Sequence, residues 1–288
     1  QVNHSLPVVT LVTDPDNLWD SKTGIYATGD QFDPEAASYT DVLLSATYYK
    51  SKNVSEEEVD TVWTKPAAFS LMEEGQQVFS QNVDIRIAGS YGRGRAQKGF
   101  NIIARGKYGN SRMEYPFFDN RDFTEYKSLV LRAGAQDQNR SKIRDELATG
   151  LLEGTDINIL YQAYRPVVLY LNGEYWGVYF LKEKRNRFFV AQHEGVEDVD
   201  NMNIAKGSHM VSYGSNESWE EVFNYIKSHD LSDPTAYAYV CERVDVNSFM
   251  DYTIAEIYTG NTDTFNMQYY QLPGGKWKFI FYDFCWGF

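Results

Sequence analysis

The order in which two hydrophobic periods appear constrains the fold of this chain most. Segments in which apolar and polar residues alternate come first: PAAFSLME at 66–73, QVFSQNVDIRIAG at 77–89 and GFNIIAR at 99–105. Such alternation is typical of strands that bury one face. Segments with helical spacing dominate after residue 190. Because strands and helices are separated rather than alternating, the sequence predicts an α+β fold with an antiparallel sheet.

Turn-forming and helix-capping residues indicate where the individual elements begin and end. The runs LPVVTLVT at 6–13 and DVLLSATYY at 41–49 are typical of short strands. Asn172-Gly173, a favoured type I′ pair, predicts a hairpin over 166–183. A helix is expected over 141–154, with Ser141 as its N-cap and an apolar face made of Ile143, Leu147 and Leu151. Two further helices are expected, over 218–228 and from a capping Asp245 to Gly260.

Composition excludes several classes of function. Lys and Arg number 27 against 40 Asp and Glu, which gives a net charge of −13. Such a surface repels phosphate backbones, so we expect no nucleic-acid partner. No apolar run reaches about 18 residues, so no membrane span is expected. With two cysteines and four scattered histidines, and no CxxC or HExxH spacing, a zinc site is not predicted.

The last 28 residues, NTDTFNMQYYQLPGGKWKFIFYDFCWGF, place two aspartates in an aromatic-rich stretch. Pro273-Gly274-Gly275 separates two strand-like runs and predicts a closing hairpin. A loop at Pro273-Gly274 or at Gly274-Gly275 would put Asp283 opposite position 264 or 266. In either register the carboxylate of Asp283 is expected close to Asp263 and Asn266.

Two carboxylates this close require either a shared proton or a cation between them. A set that supplies only oxygens suits Mg²⁺ or Ca²⁺ better than zinc. The order Asp263, Asn266 and then Asp283-Phe284 also resembles that of the metal and catalytic groups in protein kinases. A structural interpretation stays open, in which Asp263 caps a loop, Asn266 makes a turn and Asp283 pairs with a lysine.

Four stretches in one order resemble the CotH family, the spore coat protein H or CotH kinase group, over most of residues 60–288. They are VDIRIAGSYGRGRAQKGFNI, LVLRAGAQDQNRSKIRDELA, YLNGEYWGVYFLKEKRNRFF and GNTDTFNMQYY…FIFYDFCWGF. The resemblance implies an atypical protein-kinase-like fold of two lobes. Residues 1–190 would form a β-rich lobe with the sheet, one helix and the hairpin. Residues 191–288 would form a helical lobe that carries Asp263 and Asp283.

The resemblance also implies an activity: ATP-dependent phosphorylation of Ser or Thr in a coat or surface protein, with Mg²⁺ or Mn²⁺. A secreted or surface location is expected from the family alone. On this hypothesis Asp263 is the catalytic aspartate, and Asp283 and Asn266 bind the metal. Nucleotide-binding candidates are Lys98 and Arg93 for phosphate contact, Glu183 to position a cation or the lysine, and Arg144.

Each of these candidates also has a structural interpretation. Arg93 and Lys98 could be surface cations, Glu183 could balance neighbouring cations, and Arg144 could form an ion pair on its helix. Two departures from the family matter as well. Cys285 stands where the family usually has a second aspartate, and the chain stops five residues past Asp283, which suggests that the C-terminal part of the domain is missing. A non-catalytic surface or adhesion module and a pseudokinase therefore stay open as alternatives.

Overall fold

The computed structural model describes residues 4–30, 32–38, 56–89, 91–207, 210–264 and 266–288. The chain divides into two compact units, residues 1–142 with 163–184 and residues 143–162 with 185–288. The division that we predicted at residue 190 differs from these units, because residues 143–162 and 185–190 belong to the second. The strand expected at 41–49 lies outside the described residues.

Within its described residues, the first unit contains a closed barrel of seven strands. They are β1 (Val8–Val12), β2 (Lys65–Glu73), β3 (Gln76–Ala88), β4 (Gly99–Ile103), β7 (Ser128–Arg132), β8 (Tyr164–Leu171) and β9 (Glu174–Glu183). Their order around the barrel is β1-β2-β3-β4-β7-β9-β8. The β2–β3 and β3–β4 pairs are antiparallel as predicted, whereas β1 and β8 pair in parallel and close the barrel. Two short strands, β5 (Met113–Glu114) and β6 (Glu125–Tyr126), pair separately.

Apolar side chains at alternate positions of the strands fill the barrel. Phe69 and Leu71 of β2, like Ile85 and Ile87 of β3, are fully buried in one hydrophobic core. Burying a side chain of this size contributes roughly 1.5–3 kcal/mol, so the alternating pattern largely decides which face points inward.

The hairpin of β8 and β9 turns at the residues that the sequence indicated. Leu171 pairs with Glu174 across a two-residue loop. Both loop residues have a positive φ, 49° at Asn172 and 86° at Gly173, as a type I′ turn requires. This prediction is confirmed.

Shorter elements complete the first unit. They are the helices α1 (Pro15–Trp19) and α2 (Glu56–Thr61), and 3-10 turns at Tyr91–Gly94, Gly106–Tyr108 and Ala135–Asn139. Across the described ranges of both units, we find no helix with the length and apolar character needed to cross a membrane.

In the part that the structure describes, the second unit combines five helices with a four-stranded sheet. The helices are α3 (Arg144–Gly150), α4 (Arg187–Glu194), α5 (Glu217–Ser228), α6 (Pro234–Arg243) and α7 (Val246–Thr259). The antiparallel sheet has the order β11-β10-β12-β13, formed by Met210–Tyr213, Asn203–Lys206, Gln268–Gln271 and Trp277–Ile280. Tyr269, Trp277 and Phe279 of this sheet are buried in one hydrophobic cluster and Tyr270 in another. The α+β class is therefore confirmed.

Helix α7 follows its sequence signals from cap to cap. The carboxylate of Asp245 accepts the N–H of Ser248 at 3.1 Å, and the helix ends at Gly260, whose φ is 61°. Between these caps a buried stripe includes Tyr252, Ala255 and Glu256. A glutamate on a buried stripe is unusual, because burying a carboxylate is costly unless it has partners.

Helix α3 turns the opposite face inward from the one we predicted. Ile143, Leu147 and Leu151 are 48%, 46% and 44% exposed. The buried positions of the helix are instead Asp145, Glu146, Ala148 and Thr149. The hydroxyl of Ser141 is not the N-cap but donates to Asp137 at 2.7 Å. The apolar-face prediction is therefore wrong: the polar face lies inward, where Asp145 accepts the N–H of Phe284.

Candidate functional site

The loop after α7 fixes the backbone of Asp263. The N–H of Asn261 donates to the carbonyl of Glu256 at 3.1 Å, which continues from the end of the helix. The side-chain oxygen of Asn261 then accepts the N–H of Asp263 at 3.3 Å. The buried Asn261 therefore ties Asp263 to the end of α7.

Asn266 brings the two aspartates together. A turn forms where the N–H of Asn266 donates to the carbonyl of Asp263 at 3.2 Å. The amide nitrogen of the Asn266 side chain lies 3.4 Å from Oδ2 of Asp263 and 2.7 Å from Oδ2 of Asp283. Both carboxylates thus meet one amide group, as expected from the sequence. The structural interpretation is only partly met: Asn266 does make a turn, but in the described part of the chain no lysine pairs with Asp283.

The register of the closing hairpin differs from both registers that we considered. Gln271 pairs with Trp277, so the loop runs from Leu272 to Lys276 rather than over two residues. Inside it the N–H of Gly275 donates to the carbonyl of Leu272 at 2.9 Å, and Gly274 has a φ of 66°. The longer loop shifts the pairing by one step, yet Asp283 still reaches Asn266 because both residues lie beyond the paired positions.

The backbone of Asp283 is held in a left-handed conformation, with a φ of 62°. Residues other than glycine adopt this region at a cost of roughly 1–2 kcal/mol, so neighbouring contacts must maintain it. The next N–H, that of Phe284, donates to the carboxylate of Asp145 at 2.9 Å. The ring of Phe284 stacks on Phe281 at a centroid distance of 3.6 Å. The thiol of Cys285 donates to Oδ1 of Asp283 at 3.1 Å.

A third carboxylate lies behind the pair. Burial raises the pKa of Glu256, and the negative charge of Asp263 adds to the effect. One oxygen of Glu256 accepts from the hydroxyl of Tyr252, while the other is buried without a hydrogen-bond partner. Burial, followed by the charge of Glu256, raises the pKa of Tyr252 above its usual range. Sequence analysis missed Glu256, although a glutamate in the buried stripe of α7 was a usable signal.

The cations that we selected for phosphate contact lie in the first unit. Lys98 is only 6% exposed, so its interpretation as a surface cation is wrong. Its ammonium donates to the backbone carbonyls of Arg93 and Arg95, and burial lowers its pKa to about 8. Among the described residues, Lys98 forms no ion pair with a carboxylate.

Glu183 has a cationic partner of its own. Its carboxylate pairs with Arg121 at 3.0 Å and accepts the N–H of Ala163 at 2.6 Å. Arg121 is thus one cation that Glu183 balances, as its structural interpretation has it. Arg144 is half-buried at the start of α3 in the second unit. The roles of Arg93, Lys98, Glu183 and Arg144 toward a nucleotide stay predictions.

The donor set of the site fits a hard divalent cation. The carboxylate of Asp283 is a ligand type that Mg²⁺ takes, and so is the amide oxygen of Asn266, whose amide nitrogen faces the two carboxylates in this structure. Within the described ranges, no group of three or more His, Cys, Asp or Glu side chains is arranged to hold a metal ion. Mg²⁺ commonly uses only one or two carboxylates together with substrate phosphates, so such a sparse set is chemically compatible with it.

Comparison with known proteins agrees with the motifs. No curated protein matches the chain significantly. The family model described as CotH kinase protein matches residues 85–288, which is well over half of the chain and contains Asp263, Asn266 and Asp283. The chain belongs to the CotH family.

Proposed function

We propose that this chain is an atypical protein kinase of the CotH family. It would transfer the γ-phosphate of ATP to Ser or Thr of a coat or surface protein, in a reaction that depends on Mg²⁺ or Mn²⁺. The observation that carries the proposal is the meeting of Asp263 and Asp283 at the side-chain amide of Asn266. A secreted or surface location is part of the proposal and rests on the family.

Phosphoryl transfer requires positioning and charge compensation more than covalent chemistry from the protein. Asp283 and Asn266 would hold the metal ion, which neutralises charge on the nucleotide phosphates when it is bound. Asp263 would orient the acceptor hydroxyl and accept its proton, because among the described residues its side chain has one weak contact, at 3.4 Å, with Asn266.

The contacts around Asp283 support its assignment as the metal ligand. Its left-handed backbone is fixed by the hydrogen bond that the N–H of the next residue, Phe284, donates to the carboxylate of Asp145. Left-handed residues other than glycine cluster at ligand sites, where the surrounding structure maintains them. The side chain of Asp283 therefore points from a preorganised position, which reduces the entropic cost of binding an ion.

A radiolabelled phosphate-transfer assay with casein as a general Ser/Thr acceptor tests the proposal. Asp263→Asn should reduce transfer by about 10²–10⁴-fold while ATP binding is kept, since only the proton acceptor is lost. Asp283→Asn should abolish both metal-dependent ATP binding and transfer. Asp230→Asn, at an exposed turn, is the matched control and should behave as wild type. Undiminished transfer by Asp263→Asn would overturn the assignment.

One observation favours a pseudokinase as the second candidate. Cys285 occupies the position of the family's second aspartate, and its thiol donates to Asp283 instead of supplying another carboxylate. The same assay separates the two functions: Mg²⁺-dependent ATP binding without measurable transfer by the wild-type chain identifies a pseudokinase. Restored transfer in Cys285→Asp would then assign the lost activity to this position.

A further inference from the structure

Two cations contact Tyr282, the residue that precedes Asp283. The guanidinium carbon of Arg185 lies 3.7 Å from the centroid of the Tyr282 ring. The ammonium of Lys206 lies 4.6 Å from the same centroid and donates to the Tyr282 hydroxyl at 2.6 Å. Cation–π contacts at these distances are attractive, and the hydroxyl bond restricts the lysine further. Both positive groups thus contact the residue that precedes the candidate metal ligand in the sequence.

Lys206 is also fastened to the segment that carries Asn266. It is the last residue of β10 and pairs with Gln268 of β12. The N–H of the following Gly207 donates to the carbonyl of Met267 at 2.8 Å. The backbone of Lys206 therefore runs beside the residues that follow Asn266, while its side chain reaches the residue before Asp283.

Among the described residues, no acidic group offsets the charge of Lys206. Across the described part of the chain, no carboxylate lies within ion-pairing distance of this half-buried ammonium. Lys278 in the same sheet differs, because it pairs with Glu194 at 3.1 Å. In a chain with a net charge of −13, an ammonium that is partly desolvated and has no acidic partner favours an anionic ligand.

We propose that Lys206 and Arg185, held on Tyr282, bind the polyphosphate of the nucleotide whose metal ion Asp283 ligates. The inference rests on the proposed function and names its phosphate contacts within the second unit. Arginine presents a planar set of donors to phosphate, and lysine a compact charge. Stacking on Tyr282 restricts both side chains before the ligand arrives, so less entropy is lost on binding.

Isothermal titration with ATP and with adenosine, both in Mg²⁺, tests the pair. Lys206→Met keeps the length of the side chain and removes its charge. It should weaken ATP binding about 10- to 100-fold, the range of one hydrogen bond to a charged group, and leave the affinity for adenosine unchanged. Lys278→Met is the matched control and should leave both affinities unchanged. Tyr282→Phe keeps the ring and should weaken ATP binding less than Lys206→Met does, because only the hydroxyl that positions the ammonium is lost.

The outcomes separate this inference from the function on which it rests. A wild-type chain that binds no ATP overturns both. If wild type binds ATP and Lys206→Met binds it equally well, the phosphate pair is wrong and the kinase proposal is unaffected. Parallel losses of ATP and adenosine affinity in Lys206→Met would show that the lysine only supports the local fold, which also overturns the inference.

Discussion

Replacement of Asp145 by alanine tests how the fold positions Asp283. The carboxylate of Asp145 accepts the N–H of Phe284 at 2.9 Å, and both residues are buried. Without this acceptor the N–H would be buried with no partner at this position, which costs about 1–3 kcal/mol in the free energy of unfolding. The left-handed backbone of Asp283, itself costing roughly 1–2 kcal/mol, would lose the contact that maintains it.

The expected functional consequence is weaker metal binding. Removing a group that orients a metal ligand typically lowers affinity 10- to 100-fold, and we expect a loss of about that size for Mn²⁺ in the presence of ATP. Asp145→Asn is the matched control, since its amide oxygen can still accept the N–H of Phe284. Urea unfolding measures the stability loss, and electron paramagnetic resonance of free Mn²⁺ measures the affinity.

Two results would refute the reasoning on Asp145. If Asp145→Ala loses stability but binds Mn²⁺ as wild type does, the hydrogen bond supports the fold without positioning Asp283. If Asp145→Asn loses as much Mn²⁺ affinity as Asp145→Ala, the negative charge matters rather than the acceptor of the Phe284 N–H.

Three further predictions concern ionisation and turn geometry. The ammonium of Lys98 has its pKa lowered by burial from 10.5 to about 8, so the wild type should gain up to about 3 kcal/mol of stability as the pH rises from 8 to 10.5. Lys98→Met should lack that gain in urea unfolding at a series of pH values. Burial raises the pKa of Glu256 above its ordinary 4.5, so the folded chain keeps this proton at pH values where the unfolded chain has lost it. The free energy of unfolding therefore falls as the pH rises from 4.5 through the folded-state pKa. Glu256→Gln should lose less stability than wild type between about pH 4.5 and 7, and an equal loss would contradict this. Gly173→Ala should destabilise the hairpin by about 1 kcal/mol, because the φ of Gly173 is 86°. Gly106→Ala is the control and should change thermal stability little, because an added Cβ there would meet only the Cβ of Ser111 at 4.0 Å.

Local signals in the sequence were sufficient to predict the structure where one short segment determines it. The cap of α7 at Asp245 and its end at Gly260 depend on residues within one turn of the helix. The Asn172-Gly173 turn likewise depends only on two backbone conformations that few residues adopt. The meeting of Asp283 with Asn266 was also predictable, because a hairpin places its two arms side by side.

Features that depend on distant partners could not be predicted in the same way. The inward face of α3 carries Asp145, whose carboxylate accepts the N–H of Phe284 from far along the chain, whereas the apolar side chains of the helix predicted the wrong orientation. The partners of Lys98 are backbone carbonyls, and a carbonyl carries no signature in the sequence. Closure of the barrel requires β1 to pair in parallel with β8, a contact that no local pattern encodes.

The most direct test of the central claim is a crystal structure with Mn²⁺ and a non-hydrolysable ATP analogue, analysed for the anomalous signal of manganese. The account predicts a peak bonded to the carboxylate of Asp283 and to the nucleotide phosphates, with Asn266 beside it, and predicts that Asp283→Asn loses this peak. A nucleotide bound with its manganese away from Asp283, or a signal that is undiminished in Asp283→Asn, would contradict it.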